Sequence, residues 1–153
     1  MSKKDMHREQ LLMALGKDLS RRAKSSCELC SERTSLFVVE VPPLPEEPGL
    51  DTSIFICEFC KKRVTYILPA KTKKKSSIKS KQNTGSELFV SNSILFLQEK
   101  VWSEIKPVQV ASILLTDQAK SLGYGWAVEI LDSLYLEEEI EHWVQILREH
   151  SSK

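Results

Sequence analysis

The sequence predicts an α+β protein, with a small cysteine-bearing β-hairpin module followed by a small helical domain. Three observations carry this expectation. The four cysteines of the 153 residues fall into two matched C-x2-C pairs, Cys27-Glu28-Leu29-Cys30 and Cys57-Glu58-Phe59-Cys60. Two short runs, Leu36 to Val41 ("LFVVEV") and Ser53 to Cys57 ("SIFIC"), are rich in β-branched and aromatic residues and lead from one pair to the other, as the strands of a hairpin would. After residue 87 the apolar side chains recur at helical spacing instead.

Taken in order, the chain divides at changes of composition. Residues 1–24 form an amino-terminal helix over about 5–24, with Leu11, Leu12, Leu15 and Leu19 on one side and basic residues at its end. Residues 25–68 are the four-cysteine module. Its two strands are separated by Pro42 to Gly49, a loop because four prolines in seven residues cannot donate ladder hydrogen bonds. Residues 69–86 are a lysine-rich linker with almost nothing apolar to bury, expected to be disordered and to decouple what lies on either side. Residues 87–153 read as helices. Ile94, Leu97, Val101 and Ile105 share one face, and Pro107 suits the first turn of the next helix. That helix stops at Gly123 and Gly125. A third helix carries Trp126 to Leu134, and a fourth carries Ile140 to Leu147. Trp102, Trp126 and Trp143 sit among apolar residues and are expected to pack in the core. Glu137, Glu138, Glu139 and Glu141 suit the opening turn of the last helix, and His142 beside them is expected at the surface.

The formal net charge of +1 conceals an asymmetry. Residues 1–81 hold 17 Lys/Arg against 10 Asp/Glu, and residues 82–153 hold 5 against 11. The first part is therefore basic and the second acidic, which supports two modules. No stretch approaches the ~18 consecutive apolar residues of a membrane span. Leu11 to Leu15 is too short for a secretory signal and lacks a small-residue cleavage site. The expectation is a cytoplasmic protein with no membrane contact.

In a reducing compartment, paired C-x2-C motifs favour a metal over disulfides. A redox C-x2-C motif would call for a βαβ setting, and the sequence has none. A two-residue gap turns the backbone so that both sulfurs of a pair face one ion. Cys27, Cys30, Cys57 and Cys60 are thus expected to bind one structural zinc, in a zinc ribbon or a treble-clef-like hairpin; iron accepts the same ligands. Four thiolates close the tetrahedral shell and leave no position for a reactive water. Arg33, Lys61, Lys62 and Arg63 flank the pairs and would moderate the residual negative charge. A module of roughly 40 residues buries too little surface to fold alone, and the metal would make up that deficit.

The stretches "CELC" and "LFVVEVPPLPEEPGLDTSIFICEFCKKRV" together resemble the amino-terminal zinc-ribbon region of the bacterial PhnA family, which has a C-x-L-C knuckle, a V-P-P loop and an I-x-x-C-x-x-C second knuckle. "VWSEIKPVQVASILL" and "GWAVEILDSLYLEEEIEHW" are similar to the helical stretch that follows in those proteins. The lysine-rich segment departs from the family's usual connection. The family's carboxy-terminal β-rich domain has no counterpart in these residues, so its role is not carried over. The family takes its name from an alkylphosphonate-utilisation gene cluster. The resemblance implies a zinc-ribbon protein and no defined substrate.

Function is then expected to be non-catalytic, as a binding or interaction module with an unidentified protein partner. An alternative is a nucleic-acid-binding or regulatory protein using the basic ribbon and Lys71, Lys73, Lys74, Lys75, Lys79 and Lys81, which would bind weakly through phosphates. A solvated linker is the simpler reading of those lysines, since no aromatic lies among them to stack a base. A hydrolase is the least supported reading, whether for phosphonates or of the HNH nuclease type. The three histidines, His7, His142 and His150, all lie outside the stretch between the thiol pairs. That stretch therefore supplies neither a histidine base nor a histidine ligand for a catalytic metal. Glu40, Glu46, Glu47 and Asp51 read as loop solvation. A helix-turn-helix reading of residues 111–131 is opposed by the acidic charge of that half.

Overall fold

The computed structural model describes residues 3–68 and 85–151. Six of the lysines singled out above, Lys71 to Lys81, lie outside the described residues. The fold is α+β, with a two-stranded antiparallel hairpin among helices. Helix α1, Lys3–Ala23, buries Leu19 and Ala23 and packs across both strands. The strands β1, Leu36–Glu40, and β2, Ser53–Cys57, have the expected composition, and the proline loop lies between them. Their register sets Leu36 opposite Cys57 and Glu40 opposite Ser53.

Helix α2, Glu58–Ile67, was not anticipated from the sequence. It starts at the residue after β2 ends, so the second cysteine pair straddles a strand-to-helix junction rather than a second loop. Cys60 and Val64 are buried on one side of it, and Ile67 packs against the same core. These positions, i, i+4 and i+7, form a helical stripe.

The remaining helices are α3, Gly85–Leu88; α4, Leu97–Lys100; α5, Lys106–Ser121; α6, Gly125–Ser133; and α7, Glu138–Ser151. Ile94, Leu97 and Val101 are buried as expected, but on a 3-10 turn, a short α4 and a bend rather than one helix. Pro107 explains the break. A helix running through it would lose one amide bond and drive the ring into the carbonyl of Ser103. Instead the chain turns, Ser103 Oγ accepts the amide of Ile105 at 3.0 Å, and α5 begins with Pro107 in its first turn. Gly123 takes φ +93° and closes α5, with Tyr124 N–H donating to Ala119 O and Gly123 N–H to Lys120 O. This is the double bond of a Schellman ending, which favours glycine at the left-handed position.

Helix α5 is buried nearly all round, from Pro107 to Ala119, and meets α2, β2, α4, α6 and α7. It gathers the apolar residues of both halves into one cluster, from Cys27, Leu29 and Ile56 to Ile113, Ile140 and Leu147. The decoupling expected from the lysine segment therefore meets a different arrangement, in which the hairpin module and the helices share a core. Trp143 Nε1 donates to Pro42 O at 2.7 Å across the same interface. Trp126 and Trp143 are half-buried, whereas Trp102 is 49% exposed, contrary to the expectation of core packing. Helix α7 opens with the acidic turn foreseen, and Glu139 there accepts from Lys106 Nζ at 2.8 Å. No described helix is long and apolar enough to cross a membrane.

Candidate metal centre

Cys27 and Cys30 sit on a tight loop that follows α1. The amides of Leu29 and Cys30 both donate to Cys27 Sγ at 3.4 Å. Cys27 N–H donates to Glu32 O, and Ser31 N–H to Cys27 O, which closes the loop. Closure places Ser31 in the left-handed region, at φ +73°. The second pair is held differently. Cys57 ends β2 and caps α2, and Cys60 lies in the first helical turn, where the helix dipole favours negative charge.

The four sulfurs all lie within 4.8 Å of one another, and Cys30 Sγ is 3.6 Å from Cys57 Sγ. Sulfurs bound at ~2.3 Å to one tetrahedral ion stand ~3.8 Å apart. The chain thus brings together all four expected ligands around a space of the right size for one metal ion. Without a cation they cannot all be thiolates. Hydrogen bonds from Cys30 and Cys60 hold Cys27 far below the usual thiol range. Cys30, donating to that thiolate, is pushed up to about 12, and Cys60, facing both, is pushed up further. A divalent cation held by the four sulfurs would offset the mutual repulsion of their thiolates.

The flanking cations differ in what they do. Arg63 is 2% exposed; it donates from Nη1 to Cys60 Sγ at 3.3 Å, from Nε to Leu88 O at 2.8 Å and from Nη2 to Ser93 O at 3.4 Å. Its guanidinium also lies over the rings of Phe59 and Phe96. With a metal bound, this buried positive charge on Cys60 Sγ would offset the excess negative charge of four thiolates. Arg33, Lys61 and Lys62 are exposed, and Lys61 Nζ lies 4.8 Å from the centre of the Phe37 ring.

Two further groups hold the knuckle and were not foreseen. Glu28, inside the first pair, is buried. Its carboxylate accepts from Arg22 Nε at 2.7 Å and Nη2 at 2.9 Å, and from Phe55 N–H at 2.8 Å. Its own amide donates to Phe55 O. Arg22 also donates to the carbonyls of Leu50 and Ser53. One carboxylate thus ties α1, the knuckle and β2 together. Glu40 was read as loop solvation, but it accepts a two-pronged contact from Arg8 of α1, at 2.6 and 3.0 Å. Arg8 reaches on to the carbonyls of Pro45 and Glu46 and pins the proline loop. The sequence offered no periodic signal for these pairs, because their members sit on different elements. Arg63 was legible as a neighbour of Cys60, three residues on, but its burial depends on α2 being a helix.

No family model, curated protein or solved structure matches the chain.

Proposed function

We propose that this chain is a non-catalytic binding protein whose hairpin module is organised by one structural zinc ion. The observation that carries the reading is the closed ligand set. Four buried or half-buried sulfurs from two rigidly mounted pairs face one point, with donors already on Cys27 and Cys60. Zinc suits four sulfur ligands in a tetrahedron, and a complete shell gives no place for substrate or activated water. The order of knuckle, hairpin and helix, with the second pair at the helix start, supports the treble-clef-like form of the module over the ribbon. The resemblance to the PhnA zinc-ribbon region fits a zinc-organised module, and the lack of a histidine between the thiol pairs speaks against phosphonate hydrolysis.

The test is metal analysis of protein purified without added metal, followed by chelation. One equivalent of zinc, with cooperative loss of structure as a strong chelator removes it, is the expected result. Less than a tenth of an equivalent, with the hairpin still folded in chelator, would overturn the reading.

A further inference from the structure

Between β1 and α2 runs an open groove of about 400 Å³, on the outer side of the helix that carries the second cysteine pair. Phe37, Lys61, Lys62, Thr65 and Tyr66 line it, with Leu88 beneath. Two aromatic rings are exposed here, Phe37 by 36% and Tyr66 by 49%. Tyr66 leans on Phe89, with ring centres 5.8 Å apart, so its orientation is fixed by the core while its outer face stays free. Both lysines are exposed, on successive residues of α2. Neither aromatic adds to the core in proportion to its size, and neither lysine takes part in an ion pair found among the described residues.

We propose that this groove docks single-stranded nucleic acid, with bases stacking on Phe37 and Tyr66 and phosphates lying against Lys61 and Lys62. The inference rests on the reading of the chain as a binding protein and gives that reading a partner. Rings beside cations are the composition that sequence-tolerant single-strand binding uses, because every base has a face to stack and every nucleotide a phosphate. An acidic peptide would satisfy the lysines but not the rings, whose faces are electron-rich and repel a carboxylate. A duplex hides the base faces that stacking needs. Glu58 also lines the groove, so the phosphates run on the Lys61 and Lys62 side. The contact made by Lys61 with the Phe37 ring is exchanged for one with phosphate, which frees that ring for a base.

The test titrates the full zinc-loaded chain onto labelled oligothymidylate, with duplex DNA and polyglutamate as competitors. Tyr66→Ala is expected to weaken single-strand binding by about 5- to 150-fold, the loss of one stacked base. Tyr66→Phe keeps the ring and should bind as the parent does. Changing Lys61 and Lys62 together to Ser should lower the slope of log affinity against log salt by about 1.4, two phosphates at ~0.7 each. A variant with Ser at positions 71, 73, 74, 75, 79 and 81 separates the groove from the lysine run, and in it Tyr66→Ala should show the same loss. The proposal is overturned if no single strand binds at low salt, or if Tyr66→Ala binds unchanged. It is equally overturned if polyglutamate competes as well as the oligonucleotide, or if the six-lysine variant loses all binding. Zinc content and melting temperature on the same samples report the structural-zinc reading separately, so a failed groove leaves that reading intact.

Discussion

The two cysteine pairs are nearly identical in sequence, Cys-Glu-Leu-Cys and Cys-Glu-Phe-Cys, and the fold treats them in opposite ways. In the first pair the intervening residues point inward. Glu28 is 6% exposed and Leu29 fully buried. In the second they point outward, with Glu58 exposed and Phe59 45% exposed. The first pair rests on a loop whose charge is met by backbone amides on Cys27. The second rests on a helix start, where the charge is met by a side chain, Arg63, on Cys60. Matched spacing thus specifies the ligands and says nothing of their mounting. Local backbone geometry decides which neighbours of a ligand become structural.

The largest effect should erase the difference between the pairs. Both pairs are placed to hold one ion, and binding of the proposed structural zinc would be worth about 10–16 kcal/mol apparent, comparable with the whole stability of a typical domain. Cys27→Ala and Cys60→Ala are each expected to abolish stoichiometric zinc. The apolar cluster runs from Cys27 through α5 to Leu147, so each should also loosen the helices. Amide exchange read by NMR checks this. Native-like protection persisting in α5 and α7 of either variant would mean that the helical half holds a core of its own.

The next substitution separates the pairs. Glu28→Ala takes the carboxylate from the part-buried Arg22 guanidinium and leaves the Phe55 amide without its acceptor, and leaving a buried donor unsatisfied typically costs about 1–3 kcal/mol. Glu58→Ala removes an exposed side chain from the same position of the other pair, where about 0.5 kcal/mol is the usual limit. Urea melts of the two proteins should differ by about 1–3 kcal/mol. Equal midpoints would show that the Glu28 contacts add nothing net.

This asymmetry also marks where the sequence stopped being informative. The ligands, both strands, α1 and the start of α5 at Pro107 were legible, because spacing, β-branching, apolar period and proline each act locally. Helix α2 carried its own stripe, Cys60, Val64 and Ile67, but three apolar positions in ten residues are a short signal, and the choice between ribbon and treble clef stayed open. The shared core was hidden for a different reason. A lysine-rich segment suggests separation, yet contacts between Trp143 and Pro42, or Arg63 and Leu88, depend on how α5 packs and leave no trace in local composition. The ion pairs Arg22 with Glu28 and Arg8 with Glu40 are of the same kind, since each joins elements whose relative placement only the fold supplies. The six lysines of residues 71–81 lie outside the described residues.

An effect of similar size tests how the helix-borne pair meets its charge. Arg63→Met keeps much of the side-chain volume and removes the donors to Cys60 Sγ and Leu88 O. Hydrogen bonds to charged groups are worth about 1.5–3 kcal/mol, so a loss of that order is expected, together with faster zinc transfer to a competing chelator. Lys62→Met, one residue earlier and exposed, should leave both unchanged. If the two variants released zinc at the same rate, the Arg63 contact would be structural only.

The smallest effect should reverse sign between the pairs. The residue after the second cysteine of each pair is Ser31 in the knuckle and Lys61 in the helix. Ser31 stands at φ +73°, a region that costs an L-residue about 1–2 kcal/mol and glycine almost nothing. Ser31→Gly relieves that strain but frees the unfolded chain by about 0.4–1 kcal/mol, so a net gain between zero and about 1.6 kcal/mol is expected. Lys61 lies inside α2 with ordinary helical geometry, and glycine there should cost about 1 kcal/mol through helix propensity alone. Thermal melts of the zinc-loaded variants should therefore move in opposite directions, upward for Ser31→Gly and downward for Lys61→Gly. Downward shifts of similar size in both would mean that the knuckle's left-handed residue is not strained, and that the two mounts differ less in backbone energy than their geometry implies.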